Sequence, residues 1–154
     1  MIKQTLIALS AGTILAGCSV PVMVAADRNQ GRVTGLFEIT VPASMLVVSE
    51  DGEELLTGEL AGRASGSATL ALTGPIWGAC SFAMTRQGSI DGSCANGQTI
   101  SEQAEPQRPS MSGTYVHEGQ MDGNDYVMVM GWGNEATETS IRTALSAYRG
   151  PAET

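Results

Sequence analysis

Three cysteines, one histidine and eight methionines carry most of the reactive chemistry of this chain. Cys80 and Cys94 stand with thirteen residues between them, and three chemistries compete for the pair. A structural zinc site wants cysteines roughly two to four residues apart, or added histidines, and His117 is the only histidine. A thioredoxin-like redox pair reads Cys-x-x-Cys. Neither spacing is present, which leaves a structural bridge, provided the chain enters an oxidising compartment. Ser112, His117 and Asp122 compose a Ser-His-Asp set on paper. Any β protein with one histidine offers such a set, and no nucleophile elbow surrounds a serine here. Met111, His117, Met121, Met128 and Met130 would suit copper as soft ligands. Methionine equally fills gaps in a core poor in aromatics, which are 5% of this chain. The expectation is a non-catalytic protein without cofactor or bound metal.

The compartment is written at the start, MIKQTLIALSAGTILAGCSV. Lys3 supplies a positive beginning, and Leu6 to Gly17 follows without charge. That layout is a secretory signal, too short for a spanning helix of about 20 apolar residues. The segment closes Leu15-Ala16-Gly17-Cys18, which resembles the lipobox of bacterial lipoproteins. The resemblance implies cleavage before Cys18, a diacylglycerol on its sulfur, and a fatty chain such as palmitate on its new amino group. An ordinary cleaved signal with an incidental Cys18 is the competing reading. Ser19 stands where an aspartate marks inner-membrane retention in some bacteria, so the resemblance favours the outer membrane, facing the periplasm. Lipid would then consume Cys18, and Cys80 and Cys94 would have only each other.

Their surroundings specify a geometry. Cys80, Phe82 and Met84 alternate with Ala79, Ser81, Ala83 and Thr85, and Ile90, Gly92 and Cys94 follow the turn signal Arg86-Gln87-Gly88. With Gln87 at the midpoint of a hairpin, Met84 faces Ile90, Phe82 faces Gly92 and Cys80 faces Cys94, all on one face. The cystine is expected in a pair without mutual backbone hydrogen bonds, where the Cα atoms approach closely.

The remaining elements must position these groups. Ser19 to Gln30 reads as a tether, punctuated by Pro21. Val33, Phe37, Ile39 and Val41 alternate as a strand ended by Pro42. Met45 to Ser49 reads as a second strand, Asp51-Gly52 as a hairpin turn, and Glu54 to Leu60 as its return. The acids Glu53 and Glu54 fall at that turn, where solvation is the rule. Ala68, Leu70 and Leu72 make a half-buried strand broken by Gly74-Pro75. Ser101 to Ser112 reads as a surface loop. Met111 to Glu118 and Tyr126 to Trp132 read as two strands joined by Gly119 to Asp125, the second central because both its faces are apolar. Ile141, Ala144, Leu145 and Tyr148 make the stripe of an amphipathic helix, capped by Asn134 or Thr137 and stopped by Gly150-Pro151. The fold class is mainly β: an antiparallel sheet, small barrel or sandwich with one C-terminal helix. The expected divisions are 1–17 signal peptide, 18–31 lipidated cysteine and tether, 32–150 β-rich domain, and 151–154 tail.

The chain has 154 residues and a net charge of −8. Loss of Lys3 with the signal makes it one unit more negative. Such a body is repelled by nucleic acid and by anionic headgroups, and attracts an envelope protein with a basic surface. Gly131-x-Gly133-x-x-Ala136 matches a dinucleotide-binding pattern formally, but no second parallel strand follows it. Asp122-Gly123-Asn124-Asp125 lacks the alternating acids of a calcium loop. The spacing Cys80-x-Phe82 … Gly92-x-Cys94-x-x-Gly97 is similar to that of small β-rich envelope lipoproteins, a likeness that carries no activity. Ser112-Gly113-Thr114-Tyr115 with Gly133-Asn134-Glu135-Ala136 is similar to the membrane-bound inhibitors of C-type lysozyme. That likeness implies a Ser112, Gly113 and Tyr115 loop that enters the lysozyme cleft. The expectations are therefore a non-catalytic envelope lipoprotein, with lysozyme inhibition and copper binding as alternatives.

Overall fold

Period-two alternation becomes strand along most of the chain. The computed structural model describes residues 19–106, 108–121 and 123–150. Cys18 and the expected signal peptide before it, Gln107, Asp122 and the last four residues lie outside them. In order come helix α1 (Ser19–Arg28), strands β1 (Arg32–Gly35), β2 (Glu38–Ser49), β3 (Gly52–Arg63), β4 (Ala68–Gly74), β5 (Gly78–Met84), β6 (Ser89–Cys94), β7 (Thr99–Gln103), β8 (Gly113–Met121) and β9 (Asn124–Trp132). A 3-10 turn (Gly133–Glu135) and helix α2 (Glu138–Arg149) complete the chain.

All pairings are antiparallel. The strands follow the order β7-β6-β5-β4-β3-β2-β9-β8, with β1 added to β2. That is an up-and-down meander in which β9 returns to β2, so the sheet curls into a barrel nearly closed. Its one seam runs between β7 and β8, neighbours in the chain that exchange no ladder bonds among the described residues. Full closure is the way antiparallel sheets remove their edges; this barrel leaves two short ones facing each other.

Inward residues from all eight barrel strands fill the interior. Val41, Ala43, Met45 and Val47 of β2 meet Leu56, Leu70, Leu72, Phe82, Ile90, Ile100, Met128 and Met130, with Tyr115 and Met121 of β8 partly buried against them. An eight-stranded barrel is just wide enough for its side chains to fill. A second, smaller cluster lies outside the barrel. Ile141 and Leu145 of α2 cover Leu46 and Val129, with Val116, Val48, Leu55 and Val127 around them. β9 is apolar on both faces because α2 covers its outer one; the expected central placement does not hold, since it lies next to the edge strand β8. The helix stripe holds for Ile141, Ala144 and Leu145, whereas Tyr148 is exposed. Of the two candidate caps, Thr137 is the one used. Its Oγ1 accepts from the Ser140 N–H at 3.1 Å, satisfying an amide the helix cannot.

Several boundaries depart from the expectation. The tether after Cys18 is a helix, because Pro21 sits in its first turn, where a missing N–H costs nothing. The predicted strand from Val33 to Val41 folds back on itself. Leu36 and Phe37 form its turn, and β1 pairs Arg32 with Thr40 and Val33 with Ile39. Pro42 does not end a strand, since β2 runs through it. The hairpin Ser49↔Gly52 turns through Glu50 and Asp51, one residue before the expected Asp51-Gly52. That register points the N–H groups of Ala43, Met45 and Val47 at β3 and the ring nitrogen of Pro42 at the opposite flank. On that flank β1 stops at Thr40 and β9 starts at Ala43, so no ladder bond is lost. Residues Thr99–Gln103, expected mostly as loop, are strand β7 on the strength of their pairing with β6. The β8–β9 connection is shorter than expected, with Met121 already paired to Asn124.

Candidate functional site

The cysteine hairpin takes the expected geometry. β5 and β6 pair Cys80 with Cys94, Phe82 with Gly92, and Met84 with Ile90. The two sulfurs are bonded, with the Cα atoms 4.0 Å apart. The Ala95 N–H donates to Ala79 O and the Cys94 N–H to Gln98 O, so the cystine occupies a pair without mutual backbone bonds. Gly92 is needed opposite Phe82, for a Cβ there would collide with the ring. The bridge lies within the barrel core.

The polar chemistry inside the barrel gathers beside the seam. His117 shares the inward face of β8 with Tyr115, and the pairing sets it opposite Met128. Its ring stacks at 6.3 Å from Tyr115 and lies edge-on at 6.4 Å from Tyr126. Its Nε2 is buried without a hydrogen-bond partner. Tyr126 is 2% exposed, and its hydroxyl is likewise unpartnered. Across the seam Glu102, on the same face of β7 as Ile100 and Ala104, accepts from the Gln120 N–H at 3.3 Å. This side chain spans the gap that backbone bonds leave open. Gly119 makes room for it: a Cβ there would stand 2.7 Å from both Glu102 Oε1 and the Tyr126 hydroxyl. Glu102 and the Tyr126 hydroxyl left little trace in the sequence. The usable signal was parity, since Glu102 alternates with buried Ile100 and Ala104.

Burial, then the neighbouring Glu102 carboxylate, then Tyr115, push the Tyr126 phenol up to about 12. Burial also raises Tyr115. An unfolded tyrosine titrates at about 10. Between those values the folded protein holds a proton that the unfolded chain has released. Stability is therefore intact below a pH of about 10 and falls as pH rises toward about 12. Tyr126→Phe is expected to remove most of that alkaline fall and, by deleting an unpartnered buried hydroxyl, to stabilise by about 1 kcal/mol at neutral pH. Urea denaturation across the alkaline range checks it; superimposable profiles for variant and parent would refute the assignment.

The other sequence candidates are dispersed. The Ser112 hydroxyl donates to Trp132 O at 3.2 Å, and the Trp132 indole N–H donates to Ser110 O at 3.0 Å. Gly113 is paired with Trp132 at the start of β8, and Tyr115 points into the barrel. Ser112, Gly113 and Tyr115 thus begin a strand and do not share one projecting loop. His117 faces the core while the Ser112 hydroxyl is held at the barrel end, and Asp122 lies outside the described residues. Met128 and Met130 are core residues. Gly131 and Gly133 lead through the 3-10 turn into α2, where Asn134 Nδ2 donates to Arg28 O at 3.0 Å, tying down the end of α1.

Glu53 and Glu54, expected as solvated turn acids, separate. Glu53 pairs with Arg142 of α2 at 3.0 Å. Glu54 points inward and is 4% exposed. Its Oε1 accepts from the N–H groups of Ile76 and Trp77 at 2.9 and 2.8 Å, holding the β4–β5 turn. The correction follows from the turn's shift: β3 begins at Gly52, so Glu54 has the parity of buried Leu56.

No family model matches the chain, and neither a curated protein nor a solved structure is matched by it. No group of three or more His, Cys, Asp or Glu side chains stands ready for a metal among the described residues. No helix among them is long and apolar enough to cross a membrane.

Proposed function

We propose that this protein is a non-catalytic component of the bacterial cell envelope, held at a membrane by fatty chains on Cys18, with its barrel facing the periplasm from the outer membrane. The reading rests on Leu15-Ala16-Gly17-Cys18. The observation that supports it best is the Cys80–Cys94 bridge, a bond at home in oxidising compartments and rare in a reducing cytosol. The barrel interior is occupied by side chains from every strand, so its outer surface is what it offers a partner. Fifteen of the chain's sixteen acids lie beyond residue 37; Glu54 is buried, and the exposed acids suit a partner with a basic face. Intact-mass measurement on protein from native cells tests the reading. The expected mass lacks residues 1–17, carries added fatty chains and is two hydrogens short for the bridge. An uncut chain with free thiols would remove the proposal.

One observation favours a second reading, soft-metal binding. His117 Nε2 is buried and unpartnered on the face it shares with Met128, and an imidazole with a thioether suits Cu(I). Titration of Cu(I) against parent and His117→Ala separates the readings: equal, weak uptake by both would dispose of the metal. The lysozyme-inhibitor reading has less support, because Tyr115 is turned inward.

A further inference from the structure

We infer that α1 and the tip of the β1–β2 hairpin lie in the lipid interface, so that the domain rests on the membrane surface and does not swing from a free tether. The inference rests on the anchoring proposed above and adds a second, non-covalent contact to it.

Chain continuity gives the first argument. α1 begins at Ser19, the residue after Cys18. At about 1.5 Å of rise per residue, Met23 lies about 6 Å along the helix from Ser19, the residue that follows the acylated position. Interfacial helices bury their apolar side chains about 5–10 Å into the boundary between headgroups and acyl chains. A lipid on Cys18 therefore brings the first turns of α1 to that depth.

The surface of α1 gives the second. Val22, Met23 and Val24 are exposed, Met23 by 57%, while Ala26 is buried. Three consecutive apolar side chains point to different sides of a helix, so the barrel cannot cover them together. Ten residues are too few for a stable isolated helix in water, where about 12–15 are already marginal. An apolar surrounding removes that difficulty.

The third is segregation. Among the described residues, six of the eight exposed large apolar residues lie between positions 22 and 37, ending in Leu36 at 85% and Phe37 at 75%. Phe37 holds a positive φ of 119°, and its carbonyl accepts from the Ala64 N–H at 3.0 Å, which fixes the tip in its outward form. Residues 19–37 contain Arg28, Arg32 and a single acid, Asp27. Arg32 is paired with Glu59 at 2.7 Å, so this stretch is close to neutral, and the acidic remainder is the part that anionic headgroups repel.

The test uses mature, acylated protein in vesicles of phosphatidylethanolamine and phosphatidylglycerol, with and without bromine on the upper acyl carbons. Met23→Trp and Phe37→Trp are compared with the parent, whose Trp77 and Trp132 are buried in the barrel. Thr143→Trp, on the exposed side of α2, is the control. The expected result is a blue-shifted extra emission from the first two variants, quenched about twofold by bromolipid, and no quenching of the control. Vesicle flotation with a water-like, unquenched signal at Met23 and Phe37 would leave the anchor standing and overturn the docking. A shielded but unquenched signal would mean that protein covers the face, and overturns it too. Failure to float would remove both.

Discussion

Glu54→Ala is expected to lower the unfolding free energy by about 3 kcal/mol. The carboxyl oxygen of Glu54 holds the N–H groups of Ile76 and Trp77, and the Trp77 amide is buried. Removing the acceptor strands two donors in the one turn whose chain carries Trp77 back into the core. An orphaned buried donor costs about 1–3 kcal/mol, and a well-made neutral hydrogen bond nets only about 1 kcal/mol, so the orphans decide the size of the loss. Glu54→Gln keeps an oxygen in place and converts the second one, which has no partner, into a donor. Its expected cost is nearer 1 kcal/mol. Urea denaturation with tryptophan fluorescence measures both. Equal losses for alanine and glutamine would show that the acceptor oxygen is not what matters.

Loss of the Cys80–Cys94 bridge carries the other large effect, again about 3 kcal/mol from the chain entropy that a loop of this length returns to the unfolded state. For a domain of this size, that corresponds to a melting temperature lower by about 10 °C. Cys80→Ala with Cys94→Ala, and the parent under reductant, should agree to the extent that the effect lies in the unfolded chain. The double variant also removes sulfur volume from the core, so it should lie slightly below the reduced parent. A reduced sample with two titratable thiols and an unchanged melting temperature would show the bridge to be energetically idle.

The two effects were unequally legible in the sequence. The cystine register follows from the short span Gly78 to Cys94: one turn midpoint and strict alternation determine which residues face each other. Glu54 needed the exact turn. With the bend placed at Asp51-Gly52, Glu54 falls beside it and reads as solvated; moving the bend to Glu50-Asp51 makes Glu54 the inward neighbour of Leu56. In a strand a shift of one residue exchanges the two faces, so a small local error reverses a residue's environment. Pro42 shows the same dependence. A proline ends a strand when both flanks are paired, and β2 has an unpaired flank only because β1 stops and β9 starts on either side of it. For the seam cluster of Glu102, His117 and Tyr126, parity could show only that Glu102 faces inward; its meeting with the other two joins β7, β8 and β9 around a gap and was beyond local pattern.

By itself, then, the sequence determined the β class, the cystine hairpin, the amphipathic stripe of α2 and its Thr137 start, all set by neighbours within a turn or a hairpin. The tertiary structure alone decided that the meander curls until β9 meets β2, that one seam stays open, that Glu54 turns inward, and that the segment after Cys18 is helical with an exposed apolar surface. These depend on which distant strand lies alongside, and a chain's local preferences hold no information on a partner about ninety residues away, as Ala43 and Trp132 are.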